Sequence, residues 1–312
     1  MKIQMRGNSI LDKVLKRPLK KAKTFDEQVD ILQERKLLID DREYAKKVLS
    51  KVNYYRLSGY FIYFYVPGKE EFRQGTKFED IYNLYKFDTE LRRLFMKLTE
   101  EIEINFRTYI AYYIAHNFGE EGHLNNDNFY SKNYHYEFVQ ILNKKVESYK
   151  DKAYIKHHKD IYDGNIPIWV AVEILSFTDL SKLYSNMKNN DREKIIYNNY
   201  KDIDVVKNAE IVRFWIQSLS EIRNKCAHYE RLYDSKLKKD IKLPKPYRLK
   251  DIRSNSLFSA LIIFKLLIND EVLWNDFIDR FEDIISKFEF KNFHNMGFIN
   301  DWKNILTGKK TR

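Results

Sequence analysis

The sequence predicts an all-α fold, on three observations. Glycine and proline are scarce, 9 and 5 in 312 residues, and so few breakers favour long helices over a turn-rich β architecture. Apolar residues recur at steps of three and four along several segments, the period of a helix with one buried face. The chain is 44% hydrophobic and 15% aromatic, with 23 Tyr and 21 Phe. That composition can build a sizeable core whose tyrosines keep a polar end near the surface.

Residues 1–24 read as a basic tail. Residues 25–77 read as an N-terminal helical subdomain. Within it, 25–51 form two helices, with Val29, Leu32, Leu37 and Leu38, then Ala45, Val48 and Leu49, at helical spacing and Asp40-Asp41 as the cap between them. An aromatic run through Tyr65 follows, and Pro67-Gly68 marks a turn. Residues 78–234 read as the helical core. Its first part, 78–115, carries Phe78, Ile81, Leu84 and Tyr85 on one face, then Leu91, Leu94, Phe95, Leu98, Ile102, Phe106, Tyr109 and Ile110. Residues 116–166 read as a polar connection with one helix near 135–150. Pro167-Ile168-Trp169 opens a helix through Leu175, with Trp169 in the core. Short helices are expected at 178–189, capped by Thr178 or Asp179, and at 191–200, capped by Asn190 or Asp191. Residues 207–232 are the most strongly patterned, with Ile211, Trp215, Leu219, Ile222 and Cys226 as a buried stripe. Residues 235–255 read as a basic loop kept extended by Pro244 and Pro246. Residues 256–312 supply C-terminal helices, expected at 256–268 and 271–287, that pack on the core.

The net charge is +11, and it is concentrated. Residues 1–24 hold eight Lys or Arg against one Asp, and residues 235–250 hold seven against one. Together these segments carry +13, which leaves the other 272 residues at −2. Concentrated positive charge is the footprint of a polyanion binder, and equally that of a solvated tail and loop. The single cysteine, Cys226, rules out an internal disulfide and fits a reducing, cytoplasmic setting. No apolar run approaches the roughly 20 residues of a membrane-spanning helix, so a soluble protein with no membrane partner is expected. The seven histidines form no H-E-x-x-H, and there are no cysteine partners for a zinc site. No phosphate-binding glycine motif is present. Neither a metal nor a cofactor is expected.

The chemistry-bearing stretch is Arg223-Asn224-Lys225-Cys226-Ala227-His228. Metal-free RNA cleavage needs a proton acceptor for a 2′-hydroxyl, a proton donor for the leaving 5′-oxygen and a fixed cation for the charge on phosphorus. Histidine exchanges protons near neutral pH, and arginine offers a permanent charge whose planar fork fits phosphate oxygens. On a straight helix, residues five apart lie about 140° apart. Arg223 and His228 therefore converge only if the helix bends or ends near Ala227, or if a second chain completes the site. Asn224 and His228, four apart, share a face. The alternative is a salt-bridged surface pair. Cys226 extends the apolar stripe and reads as a buried structural thiol, not a nucleophile.

That stretch resembles the R-x4-6-H motif of HEPN ribonucleases, in its R-N-x-x-A-H form. Three further stretches resemble the AbiD/AbiF-like abortive-infection proteins, in the same order: Asn53 to Tyr60 (NYYRLSGY), Ile102 to Arg107 (IEINFR) and Pro167 to Phe177 (PIWVAVEILSF). The similarity spans about residues 25–235. It implies a HEPN-type helical bundle with an N-terminal helical extension, a homodimer that pairs two active sites, and a role in phage defence. AbiF-like members are linked with structured small RNAs, so the resemblance also implies a restraining, regulatory RNA as a second expected partner beside the RNA substrate. Carried onto this sequence, Arg223 would hold the scissile phosphate and His228 would act as general acid or base. Asn224 would support the local bend, and Glu103 would hold Arg223 or His228. Arg107, one turn from Glu103, would pair with it or contact RNA. Lys225, and Lys236, Lys238, Lys239 and Lys242 of the basic loop, are the other expected RNA contacts. Tyr54, Tyr55, Arg56 and Tyr60 could stack on bases, though packing is the plainer role, and Glu173 could support the site. Two functions remain open: a metal-independent endoribonuclease, and a HEPN-type module that binds RNA or a partner without cutting.

Overall fold

The computed structural model describes residues 19–288 and 293–308. Most of the expected basic tail therefore lies outside the described residues. Among those described, all regular structure is helical, and extended backbone pairs only in isolated bridges. The chain divides into two compact units, Met1–Tyr82 and Asn83–Arg312.

In the first unit, α1 (Phe25–Glu34) starts at Thr24, which forms a capping box with Glu27. The second helix, α2 (Arg42–Leu49), starts at Asp41, whose carboxylate accepts from the Tyr44 N–H. Each cap satisfies amides that the first turn leaves without helical partners. Helix α3 (Tyr54–Ser58) follows. Its Leu57 is buried, as is Tyr60, whereas Tyr55 is 87% exposed and is no core residue. Phe61 gathers the aromatic run, edge-on to Tyr54 at 5.7 Å and to Phe72 at 5.3 Å.

A single 41-residue helix, α4 (Phe78–Phe118), covers the stretch 78–115 expected to be helical. In the second unit it is the spine. Phe87, Leu91, Phe95, Leu98, Ile102, Phe106, Ile110 and Ile114 are all fully buried, an unbroken apolar stripe that nothing in the sequence interrupts. Then come α5 (Lys132–Ser148), α6 (Ala153–Ile161), α7 (Ile168–Ile174), α8 (Phe177–Asn186), α9 (Asn189–Asn199), α10 (Ile203–Lys207) and α11 (Ala209–Ala227). The C-terminal elements are α12 (Leu257–Leu267), α13 (Glu271–Lys287) and α14 (Trp302–Thr307). Helix α11 packs on α8, α9 and α12. Every residue of α12 except Lys265 is buried, as expected of a helix that is apolar all round. Phe95 of α4 meets Phe264 of α12 edge-on at 5.7 Å.

Several expectations are corrected. Trp169 is 48% exposed and not in the core. The buried face of α7 runs through Ile168, Ala171, Val172 and Leu175, and Trp169 lies about 100° off it, on the side where Glu173 is also exposed. Helix α8 is capped by Ser176, in a capping box with Asp179, not by Thr178 or Asp179. Helix α9 starts after Lys188 without a side-chain cap, and Asp191 instead accepts from the Tyr113 hydroxyl at 2.7 Å. Ile211 is half-exposed, and Val212 is the residue buried at that turn of α11. Helices α3, α6, α10 and α14 were not foreseen.

Candidate active site

Helix α11 buries Val212, Trp215, Ile216, Leu219, Ile222 and Cys226. Arg223, Asn224 and Lys225 lie half-exposed on its flank. The helix ends at Ala227, with His228 as the capping residue. The Tyr229 N–H donates to the Cys226 carbonyl at 3.2 Å and the Glu230 N–H to the Lys225 carbonyl at 2.9 Å. This is the Schellman arrangement, which satisfies carbonyls that the last turn leaves open. It puts Tyr229 at φ 57°, in the left-handed region that glycine usually fills. His228 is therefore exposed, one residue beyond the last helical position.

The long spine helix carries a polar stripe beside its apolar one. Glu103 is buried, and its carboxylate holds two arginines: Arg107 Nη2 at 2.6 Å and Arg223 Nε at 3.2 Å. Arg107 also donates to the carbonyls of Val172 and Leu175, both at 3.0 Å, tying α7 to α4. The only hydrogen bond of Arg223 among the described residues is the one from Nε, so both terminal nitrogens stay open. They adjoin an open cleft of about 330 Å³ lined by Met96, Thr99, Glu100, Glu103, Ile104, Arg107 and Arg223. His228 does not line it. Asn224 turns the other way and donates to the Thr178 hydroxyl at 2.9 Å.

Fifteen residues before Glu103, a second acid–arginine pair stands on α4. Asp88 is fully buried and paired with Arg92. The Asp88 carboxylate accepts from the Leu232 N–H at 3.1 Å and the Tyr233 N–H at 2.6 Å. Arg92 donates to the Glu230 carbonyl at 3.4 Å and the Thr89 hydroxyl at 2.9 Å. One spine helix thus grips the motif segment at both ends, by Arg223 and by the backbone of 230–233. Sequence reasoning missed Asp88, Arg92 and Thr178. The legible signal was the acid-x-x-x-Arg spacing of Asp88–Arg92, repeated in Glu103–Arg107.

The basic segment is pinned, not free. The Trp215 indole N–H donates to the Lys242 carbonyl at 2.9 Å, the Lys238 N–H to Glu221 at 3.2 Å, and Lys239 Nζ to Gln217 at 3.1 Å. Leu237, Ile241 and Leu243 are buried, whereas Lys236, Lys238, Lys239 and Lys242 are exposed. Lys225 stands 3.8 Å from Glu230. Burial pushes the Cys226 thiol up to about 12, so it stays protonated near neutral pH and is a poor nucleophile.

A family profile described as Abi-like protein matches residues 47–234, more than half of the chain. The chain belongs to the Abi-like, abortive-infection family. All four motif stretches of this Abi-like protein lie inside the match, whereas α1 lies outside it. No curated protein and no solved structure gave a significant match. Among the described residues, no group of three or more His, Cys, Asp or Glu is placed to hold a metal ion, and no helix is long and apolar enough to cross a membrane.

Proposed function

We propose that this Abi-like protein is a metal-independent HEPN endoribonuclease acting in phage defence. The observation that carries this reading is the state of Arg223. It is anchored through Nε by a buried carboxylate, its fork is open to a cleft, and the exposed His228 caps the same helix. In the proposed reaction a ribose 2′-oxygen attacks the adjacent phosphorus and the bond to the 5′-oxygen breaks, leaving a 2′,3′-cyclic phosphate and a 5′-hydroxyl. Arg223 carries the charge gathering on the phosphate oxygens, and His228 takes or gives the proton. Glu103 fixes Arg223, and Asn224 braces the last turn of α11 against α8. A homodimer that faces two such helix ends across one cleft would gather both Arg–His sets, and a small structured RNA could hold the enzyme silent. Because His228 does not line the Arg223 cleft within one chain, a second reading stands beside the first, an RNA-gripping module that cuts nothing.

Cleavage of total RNA in EDTA separates the two. Wild type is expected to cut and leave cyclic-phosphate ends. Arg223→Ala and His228→Ala, folded by circular dichroism, are expected to lose at least about 10²-fold in rate. Wild type that binds RNA but never cuts, or variants that cut as well as wild type, would leave only the binding module.

A further inference from the structure

Two cavities adjoin along a face of α11 that leaves Arg223 out of their lining. The first, about 280 Å³, is lined by Asn224, Lys225, Lys238 and Lys239 among others. The second, about 510 Å³, is lined by Tyr130, Tyr134, Lys182, Arg213 and Phe214 among others. Gln217 and Lys239, hydrogen-bonded to each other at 3.1 Å, line both, so the two are neighbours. Gln217 and Asn224 are seven residues apart, or about 10 Å along the helix axis. The run thus leads from the flank of the R-N-x-x-A-H stretch to an aromatic chamber.

The chamber's chemistry is unusual for a surface hollow. Tyr130 and Tyr134 are 82% and 64% exposed, and neither ring meets another aromatic ring among the described residues. The Arg213 guanidinium lies over the Phe214 ring at 4.2 Å, while its Nε is buried with no hydrogen-bond partner. Aromatic rings and an arginine plane beside basic residues are the platform on which unpaired bases stack. The volume lies in the range of small-molecule sites. Of the chamber's carboxylates, Asp179 is engaged by Ser176 and Lys145, and Glu137 is solvent-exposed. In the smaller cavity three lysines suit phosphate. Glu221 Oε1 is buried there without a partner, an acceptor suited to a ribose hydroxyl.

We propose that these cavities form one groove for an unpaired RNA strand, with a base stacked in the Tyr130–Tyr134–Phe214 chamber and the adjoining sugar–phosphate laid along Lys239, Lys238 and Lys225. The choice of RNA as ligand rests on the ribonuclease reading. The groove itself rests on the cavities and is read out by binding, not by cleavage.

The test uses the full chain carrying His228→Ala and a fluorescein-labelled oligoadenylate of about a dozen nucleotides, long enough to fill one such groove. Its duplex with oligouridylate is the comparison, and anisotropy gives Kd. The strand is expected to bind more tightly than the duplex. Tyr130→Ala with Tyr134→Ala is expected to weaken the strand at least about five-fold, whereas Tyr→Phe at both positions, which keeps the rings, restores it. The proposal is overturned if the Ala pair binds like its parent, if the Phe pair loses as much, or if duplex binds as well as strand. It is also overturned if the Ala pair alters only the protein's sedimentation, which would make the chamber a protein-docking site. Tyrosine-dependent binding by a chain whose wild type never cuts would sink the nuclease reading and leave the groove standing.

Discussion

One carboxylate does two jobs in the candidate site. Glu103 neutralises Arg107, which ties α7 to α4, and it orients Arg223 over the cleft. Replacing a buried member of such a set leaves its partners' charges unpaired, at a cost of about 3–5 kcal/mol. Glu103→Ala is therefore expected to lower unfolding stability by about that amount in urea. Glu103→Gln, which keeps the shape, should cost less and act mainly on Arg223. Wild-type stability and RNA affinity in Glu103→Gln would show that the carboxylate charge is idle. His123 is a second residue whose burial has a measurable effect. It is fully buried, and burial, with His135 nearby, holds its imidazole down at about 4. The unfolded chain binds this proton more readily than the folded one between pH 4 and 6.5. The stabilising contribution is thus complete above 6.5 and is lost as pH falls towards 4, about 3 kcal/mol in all. Urea unfolding near pH 7 and near pH 4.5 should show His123→Phe losing less stability on acidification than wild type. Equal losses would mean that His123 takes up its proton in the folded chain as readily as in the unfolded one.

At the scale of elements, α4 and α11 define the site between them. The Asp88–Arg92 pair holds the strap at 230–233, and the Glu103–Arg107 pair holds Arg223. Asp88→Asn is expected to cost about 3 kcal/mol or more, because it leaves Arg92 buried and uncompensated, and to loosen the segment after His228 in amide exchange. Protection unchanged at Leu232 and Tyr233 would dismiss the clamp. Trp215→Phe removes the donor to the Lys242 carbonyl, a net loss of about 1 kcal/mol. It should expose the 235–250 lysines to trypsin sooner than in wild type. The elements legible in the sequence include α1, α2, α5, α12 and α13, each with an apolar period and a side-chain cap, and α11, which its apolar stripe alone marks. The misses have physical causes. Helix α6 has only Ile155 buried, so its period was invisible, and α9, expected as a helix, differs only in its start, which no side chain caps. Trp169, expected in the core, is turned outward by the i, i+3, i+4 pattern of α7 through Ile168, Ala171, Val172 and Leu175. In the candidate site, Arg223, Asn224, Glu103 and Arg107 were singled out by the family resemblance. Thr178 and Asp88 were not, because they reach the motif only through tertiary packing.

For the molecule as a whole, the uneven charge is the property with the widest reach. The four lysines at 236, 238, 239 and 242 are held outward on a pinned segment, not on a waving loop, so they present charge in a fixed register. If they neutralise phosphates of a single strand, each contributes about 0.7 to the slope of log affinity against log salt. Removing all four should flatten that slope by up to about 3. A slope that does not change would place the RNA elsewhere on the protein. The all-helical class was legible from breaker scarcity and period. The division of the chain at Tyr82 was not, because α4 runs through it with no proline, glycine or change of composition to mark it.

The end of α11 at Ala227 gives the motif two mechanical halves. Arg223 is phased by the helix, so one residue inserted before it within α11 would swing its side chain about 100° away from Glu103. His228 lies past the last helical turn and owes no phase to it. An extra residue between Ala227 and His228 would change how far the imidazole reaches without turning the arginine. Length variation between the two side chains can therefore be absorbed on the coil side of the junction, while the helical side tolerates none.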